Sequence, residues 1–347
     1  MIFKKNEFAV AKFAMENTIG PACSKLAVMA EVSEHINVEH RGLVRQFINT
    51  YTHDEARPQL FYTIRLASAA QNLDKIIRNL VNKVETCPGF EYERIGSKYL
   101  SPTELRRLRR ILYICQIAGN LFYWNREETA RSYSEPPFPE LSRAFWKKVP
   151  EWDVIRLNLL ILNDDFWINL IREIRTTSWI PRLPNFAIFA CYTCSGLLAL
   201  PRALRGRAYL NAGLKFWDIE GAARLTRIWI HIKQLAASNC NQITHDFPLP
   251  MASVVFHHAN HATIQEPLRR TNPFYEPDPG IQQRFYNMLC RRPLMIAMQE
   301  FVYLYGINPR FLSRNPWVFA IMDNARLPRE PSDEELETKR RFWNRNN

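Results

Sequence analysis

Glycine is scarce, with 11 in 347 residues, and the few present stand apart. Gly20, Gly196 and Gly206 cannot build a glycine-rich loop that cradles phosphate, which excludes the common nucleotide-binding fingerprints. Segments with strict apolar and polar alternation are missing too, so a sheet protein is excluded. There is no G-x-S-x-G elbow and no H-E-x-x-H pair, no internal repeat at a solenoid period and no low-complexity tract. Long hydrophobic runs are also lacking. The longest, Phe186 to Leu200, contains Cys191, Thr193, Cys194 and Ser195 and falls short of the roughly 20 residues of a bilayer span, so it reads as a buried helix. Cysteine is odd in number, at seven. Cys115, Cys191 and Cys290 lie within apolar helical patterns, as reduced core thiols do, which argues against a disulfide framework. The first ten residues carry Lys4 and Lys5, but Glu7 and Lys12 interrupt the apolar residues after them, so no signal peptide is read. The expectation is a cytoplasmic or nuclear protein with no membrane partner.

Proline, by contrast, is plentiful at 22 residues, which suits helices separated by proline-marked breaks. The fold expected is all-α, an irregular multi-helix bundle in one large domain. Residues 98 to 124 give the clearest helix. Ser101 and Glu104 form a capping box, Pro102 takes the first helical position, and Leu100 and Leu105 are placed to staple across the cap. Leu105, Leu108, Leu112, Cys115, Gly119 and Phe122 follow at spacings of three and four, while Arg106, Arg107, Arg109 and Arg110 are expected on a basic outer face. A second long helix is predicted from about Arg57 to Glu85 on the rhythm Leu66, Ala70, Leu73, Ile77, Leu80 and Val84, ended by Cys87-Pro88-Gly89. The short connection makes the two helices antiparallel neighbours. Residues 1 to 54 read as a poorly defined helical segment around Phe3, Phe8, Phe13, Val44 and Phe47. Residues 55 to 327 are expected to form the all-helical core domain, with 127 to 139 as a proline-rich loop. A polar tail at 328 to 347 opens on a cap signal from Ser332 to Glu335.

The net charge of +12 raises the question of anionic partners. Basic residues are spread along the chain, however, and no single stripe marks a nucleic-acid surface. His257, His258 and His261 form the densest cluster of ligand-type residues. His257 and His261 would share a helix face at the i, i+4 spacing used for zinc, but His258 stands where a general-base glutamate would be, and no spacing supplies the third ligand. Half-exposed histidines are the plainer reading. Cys191 and Cys194 form a lone C-x-x-C inside an apolar run and read as core cysteines. Asp164 and Asp165 are adjacent, so on a helix they point about a hundred degrees apart and do not make a facing acid/base pair. No catalytic residue and no cofactor is expected from these motifs.

Three stretches together resemble the F-box-like proteins of filamentous ascomycete fungi. The first runs from Leu100-Ser-Pro-Thr-Glu104 through Arg107, Arg110 and Tyr113 to Leu121-Phe122, similar to a capped helix carrying an arginine, a tyrosine and a closing Leu-Phe. The second is Leu141-Ser-Arg143 with Pro150-Glu-Trp-Asp153, which resembles a Pro-Trp-Glu helix start, although Glu151 separates the proline from Trp152. The third, Trp317 to Leu327, is similar to Trp-Gly-Tyr-x-x-Trp-Asp-x-x-Arg-Leu, with Val318 for the glycine and Met322 for the second tryptophan. The resemblance covers roughly residues 98 to 327. It implies an all-helical domain that presents a surface to a protein client. The F-box itself opens with Leu-Pro-x-Glu and docks the Skp adaptor of a cullin ubiquitin ligase; it is not recognisable in residues 1 to 60. Ser101, Glu104, Arg107, Tyr113, Trp152, Asp153, Trp317, Asp323 and Arg326 are the signature residues. Asp153 is expected to complement a helix N-terminus, and Asp323 and Arg326 to pair or to lock helices together.

The leading expectation is therefore a non-enzymatic interaction domain, a substrate-adaptor relative without a clear F-box. A nucleic-acid-associated basic helical protein and a metal-dependent hydrolase using His257 and His261 are the alternatives.

Overall fold

The computed structural model describes residues 2–36, 40–53, 58–85, 100–123, 138–150, Asp153, Arg156, 272–275, Tyr303 and 332–346. Within them the protein is helical with no strand, as an all-α reading requires. The N-terminal residues form three helices, α1 (Ile2–Thr18), α2 (Pro21–Glu34) and α3 (Arg41–Tyr51). A short turn of 3-10 helix at Pro58–Leu60 leads into α4 (Ile64–Glu85). Next come α5 (Pro102–Ala118), α6 (Pro139–Trp146) and, near the C-terminus, α7 (Asp333–Asn346). No helix among the described residues is long and apolar enough to cross a membrane.

Local chemistry explains where these helices begin. Between α1 and α2 the backbone turns at Gly20, whose φ of 95° and ψ of 149° suit a residue without a Cβ, and Pro21 then opens α2 with its fixed φ. At α4 the helix starts after Thr63 rather than at Arg57, because the Thr63 hydroxyl accepts from the Leu66 N–H at 3.2 Å. The Glu7 carboxylate of α1 adds a second cap by accepting from the Ile64 N–H at 3.2 Å. The α5 box is fully formed: Glu104 N–H donates to Ser101 Oγ at 3.1 Å and Ser101 N–H donates to Glu104 Oε2 at 2.8 Å. A second box opens α7, where Ser332 and Glu335 exchange the same two bonds at 2.8 and 3.2 Å. The predicted tail is thus a helix through Asn346. Its acidic first turn and basic last turns both suit the helix dipole.

Packing centres on α2, which touches α1, α4 and α5. Cys23, Ser24, Leu26, Ala27, Val28, Met29, Ala30 and Ser33 are buried around most of its circumference. Small side chains let the neighbouring helices approach closely, and burial of this kind is the main favourable term in folding. From α4 come Ala67, Ala70, Leu73, Ile77 and Val81, and α4 also meets α5 directly. One core is therefore shared across residue 54, with α1 and α2 inside it. The aromatic side of this core joins Phe122, Phe145, Trp146 and Phe274, with ring centroids 5.3 to 5.9 Å apart and edge-to-face geometry. Helix α6, which begins where the predicted proline-rich loop ends, supplies Phe145 and Trp146 and rests against α3.

Candidate functional site

Helix α5 is the element on which charge and packing meet, and it departs from a one-sided amphipathic helix. Arg107 and Arg110 are completely buried and Arg109 nearly so, so the expected basic outer face is not there. From Leu108 to Phe122 every residue but Arg109 is buried. For Arg109 and Arg110 the reason is the presence of carboxylates that come from other segments, Asp74 and Asp153. A guanidinium is tolerated in the interior only where countercharges and carbonyl oxygens meet its five donors.

Two such clusters flank α5. In the first, Asp74 of α4 accepts from Arg109, from Arg78 Nε at 2.6 Å and from the Tyr113 hydroxyl at 2.5 Å. Arg109 also donates to the Ile19 carbonyl at 3.0 Å and Arg78 to the Thr18 carbonyl, so the end of α1 is tied to α4 and α5. Those carbonyls have no partner further along their own helix, and the cations also suit the negative end of its dipole. Burial and the neighbouring Asp74 and Cys23 raise the Tyr113 phenol well above its ordinary range, which keeps it a hydrogen-bond donor. Burial works against the charge on Arg109, but Cys23, Asp74 and Tyr113 more than offset it and its pKa is raised.

In the second cluster, Asp153 accepts from Arg110 Nε at 2.8 Å and from Arg156 at 2.9 Å, with all three side chains fully buried. Arg110 reaches further, donating to the carbonyls of Phe274, of Tyr275 at 3.4 Å and of Ala22 at 3.5 Å. The turn that presents those carbonyls is shaped by Asn272, whose Oδ1 accepts from the Phe274 N–H at 2.8 Å. One side chain thus joins α5, α2, the segment at 153–156 and the turn at 272–275. Asp153 lies between two arginines, Arg110 and Arg156.

Past Ala118 the helix widens into a π turn, Gly119–Tyr123, so the α-helix ends before the predicted Trp124. Asn120 within it donates to the Ala30 carbonyl at 3.0 Å and to Ser33 Oγ at 2.9 Å, fastening the end of α2. Gln116 donates to Asn120 Oδ1 at 3.0 Å. Cys115, as expected, is a buried free thiol, pushed up to about 12 by burial and hence unreactive as a nucleophile.

Of the signature residues, Ser101 and Glu104 make the cap, Arg107 is in the core, and Tyr113 and Asp153 hold one arginine cluster each. Trp152, His257, His261, Trp317, Asp323 and Arg326 lie outside the described residues, as do Asp164, Asp165, Cys191 and Cys194. Among the described residues no group of three or more His, Cys, Asp or Glu side chains is placed to hold a metal. Asp74, Arg156 and Asn120 carry much of the network and were not singled out by the sequence. The available signals were the i, i+4 pair Asp74/Arg78 and the i, i+3 pair Asp153/Arg156. Comparison with known protein families, with curated proteins and with solved structures finds no match to this chain.

Proposed function

We propose that this chain is a non-enzymatic protein-interaction domain of the F-box-like kind, a helical scaffold that presents a fixed surface to a protein client. The observation that carries the reading is the Arg110, Asp153 and Arg156 cluster, fully buried and bonded to backbone from distant segments. Its ionic groups are spent on holding helices in register, and buried polar networks of this kind favour one packing arrangement over others. A scaffold locked in this way suits recognition by shape. The resemblance of residues 100 to 122 and 141 to 153 to fungal F-box-like proteins supports the same reading, with the Skp adaptor of a cullin ligase as one candidate partner.

The same burial weighs against the nucleic-acid alternative. Arg107 and Arg110 are withdrawn from solvent and Arg109 is engaged by Asp74, so the densest basic run of the sequence offers little to a phosphate backbone. The test is affinity purification of the tagged full chain from a fungal extract, with washes at low and high salt. Retention of specific proteins through the high-salt wash supports the interaction reading, and recovery of the Skp adaptor with a cullin assigns the chain to a ligase. Recovery of nucleic acid alone, lost at high salt, would overturn it in favour of the alternative.

A further inference from the structure

We infer that the outer face of α4 is a docking surface for an extended, acidic peptide segment, held through its backbone by asparagine side chains. This rests on the interaction reading above and names the partner's chemistry. Arg65, Ser68, Asn72, Lys75, Asn79 and Asn82 recur at spacings of three and four, so they form one row along the helix, and all six are exposed. At a rise of about 1.5 Å per residue the row is about 26 Å long, a distance that about eight residues of extended chain cover. Asparagine is a poor helix former, because its side chain competes with the backbone for hydrogen bonds, and surface positions of a 22-residue helix are better filled by lysine, glutamate or glutamine. Nothing among the described residues compensates for that choice. Ser68, Asn72, Asn79 and Asn82 make no side-chain hydrogen bond to another described residue. A local rule broken on an exposed face with no gain in packing points to a use outside the chain.

The chemistry of the row selects the partner. A carboxamide offers an acceptor and two donors, so it meets both the N–H and the C=O of a peptide unit. Asn72 and Asn79 stand about 10.5 Å apart along the axis, close to the ~10 Å that three residues of extended chain span. Charge then sets the sign. Arg65 and Lys75 have no carboxylate partner among the described residues. Asp74 is buried and Glu85 comes after the row. On α1, which packs beside α4, Glu7 caps Ile64 and Glu16 is bonded to Lys12 at 3.9 Å. Two cations suit a segment with a few carboxylates. A nucleic-acid duplex carries about one charge per 1.7 Å, or about 15 over this length, which two cations do not balance. The third cation on this side, Arg78, is already held by Asp74.

The test is selection from a display library of short random peptides on the immobilised full chain, followed by fluorescence polarisation with the best-enriched peptide. The enriched peptides are expected to carry Asp or Glu. Asn72→Ala with Asn79→Ala should weaken that peptide by roughly tenfold or more. The same variant should raise the thermal midpoint, since alanine is the better helix former, so lost binding is not lost folding. Arg65→Glu with Lys75→Glu should weaken the peptide by a similar factor. Methylation of the peptide's central backbone nitrogens leaves its charge unchanged and should weaken it severalfold, an effect that contact through charge alone would not produce. Enrichment of no peptide, unchanged binding to the asparagine variant, full affinity of the methylated peptide, or tighter binding of an oligonucleotide duplex would each overturn the proposal. Crosslinked capture in extract separates the two levels. Clients held equally by wild type and the asparagine variant overturn this surface and leave the interaction reading standing, whereas a wild-type chain that captures no protein overturns the interaction reading itself.

Discussion

Two ion pairs of nearly equal length allow the effect of burial to be measured within one molecule. Arg41 and Glu140 meet at 2.7 Å with side chains 54% and 47% exposed, and Arg110 and Asp153 meet at 2.8 Å with both side chains at 0%. Distance alone would rank them together. Water and salt screen the exposed pair, so removing it costs about 0–1 kcal/mol. Asp153→Ala leaves Arg110 and Arg156 in the interior with no carboxylate between them, and breaking a buried pair costs about 3–5 kcal/mol. Against a total stability of roughly 5–15 kcal/mol, that is a large share. Urea unfolding followed by circular dichroism reads the difference, since a slope of about 3 kcal/mol per molar of urea, the upper end of the usual range and suited to a chain of this size, converts the loss into a midpoint lowered by roughly 1–2 M. Arg41→Ala should move the midpoint by less than about 0.5 M on the same scale. Replacing both partners, Arg110→Met with Asp153→Leu, should recover part of the loss, and only part, because the buried Arg156 still loses its bond to the Asp153 carboxylate. Equal midpoint shifts for Asp153→Ala and Arg41→Ala would refute the reasoning, because the burial of the inner pair would then have no energetic consequence.

Three further expectations concern single positions. Gly20→Ala forces a side chain into a backbone conformation that glycine alone adopts easily, and thermal or urea unfolding should show a loss of about 1–3 kcal/mol despite the open space around it. Ser101→Ala removes one half of the α5 capping box and should cost about 1 kcal/mol in the same assay, with Ser101→Thr close to wild type. Tyr113 has a raised pKa in the folded chain, so it retains its proton where an unfolded phenol would lose it. Its contribution is fully present below the unfolded value of about 10 and is lost as pH rises towards the folded one. Stability should therefore fall on alkaline titration above about pH 10. Tyr113→Phe should flatten that fall without abolishing it, since burial raises Tyr51 and Tyr62 as well.

The parts of this architecture that can be read in advance are those set by neighbours in sequence. Ser101, Pro102 and Glu104 specify the start of α5 within four residues, and Ser332 with Glu335 does the same for α7. The rhythm of Ala70, Leu73 and Ile77 reports the buried side of α4. Helix α2 offers little signal because it is buried on most sides, and a helix without a polar side has no stripe to detect. The Gly20-Pro21 pair is the one local mark of its start. The arginines of α5 are misplaced for a different reason. Periodicity assigns charge to the outside, whereas Asp74 and Asp153, which draw Arg109 and Arg110 inward, stand 35 and 43 residues away in the chain. His257, His261, Trp317, Asp323 and Arg326 lie outside the described residues and add nothing to that comparison.

The reach of Arg110 also sets an order in time. Its acceptors include Ala22, Asp153 and Phe274, so one of them is made long before the arginine and two only after it. Phe274 follows Arg110 by 164 residues. At ~5–20 residues per second, a ribosome takes on the order of 10–30 s to cover that stretch. During that interval α1, α2, α4 and α5 are already made, while a guanidinium destined for the interior has only part of its set of acceptors. Until the turn at 272–275 emerges, any packing of the N-terminal helices lacks the Phe274 and Tyr275 carbonyls as acceptors for Arg110. Completion of this buried cluster is timed by the last of its segments to be made.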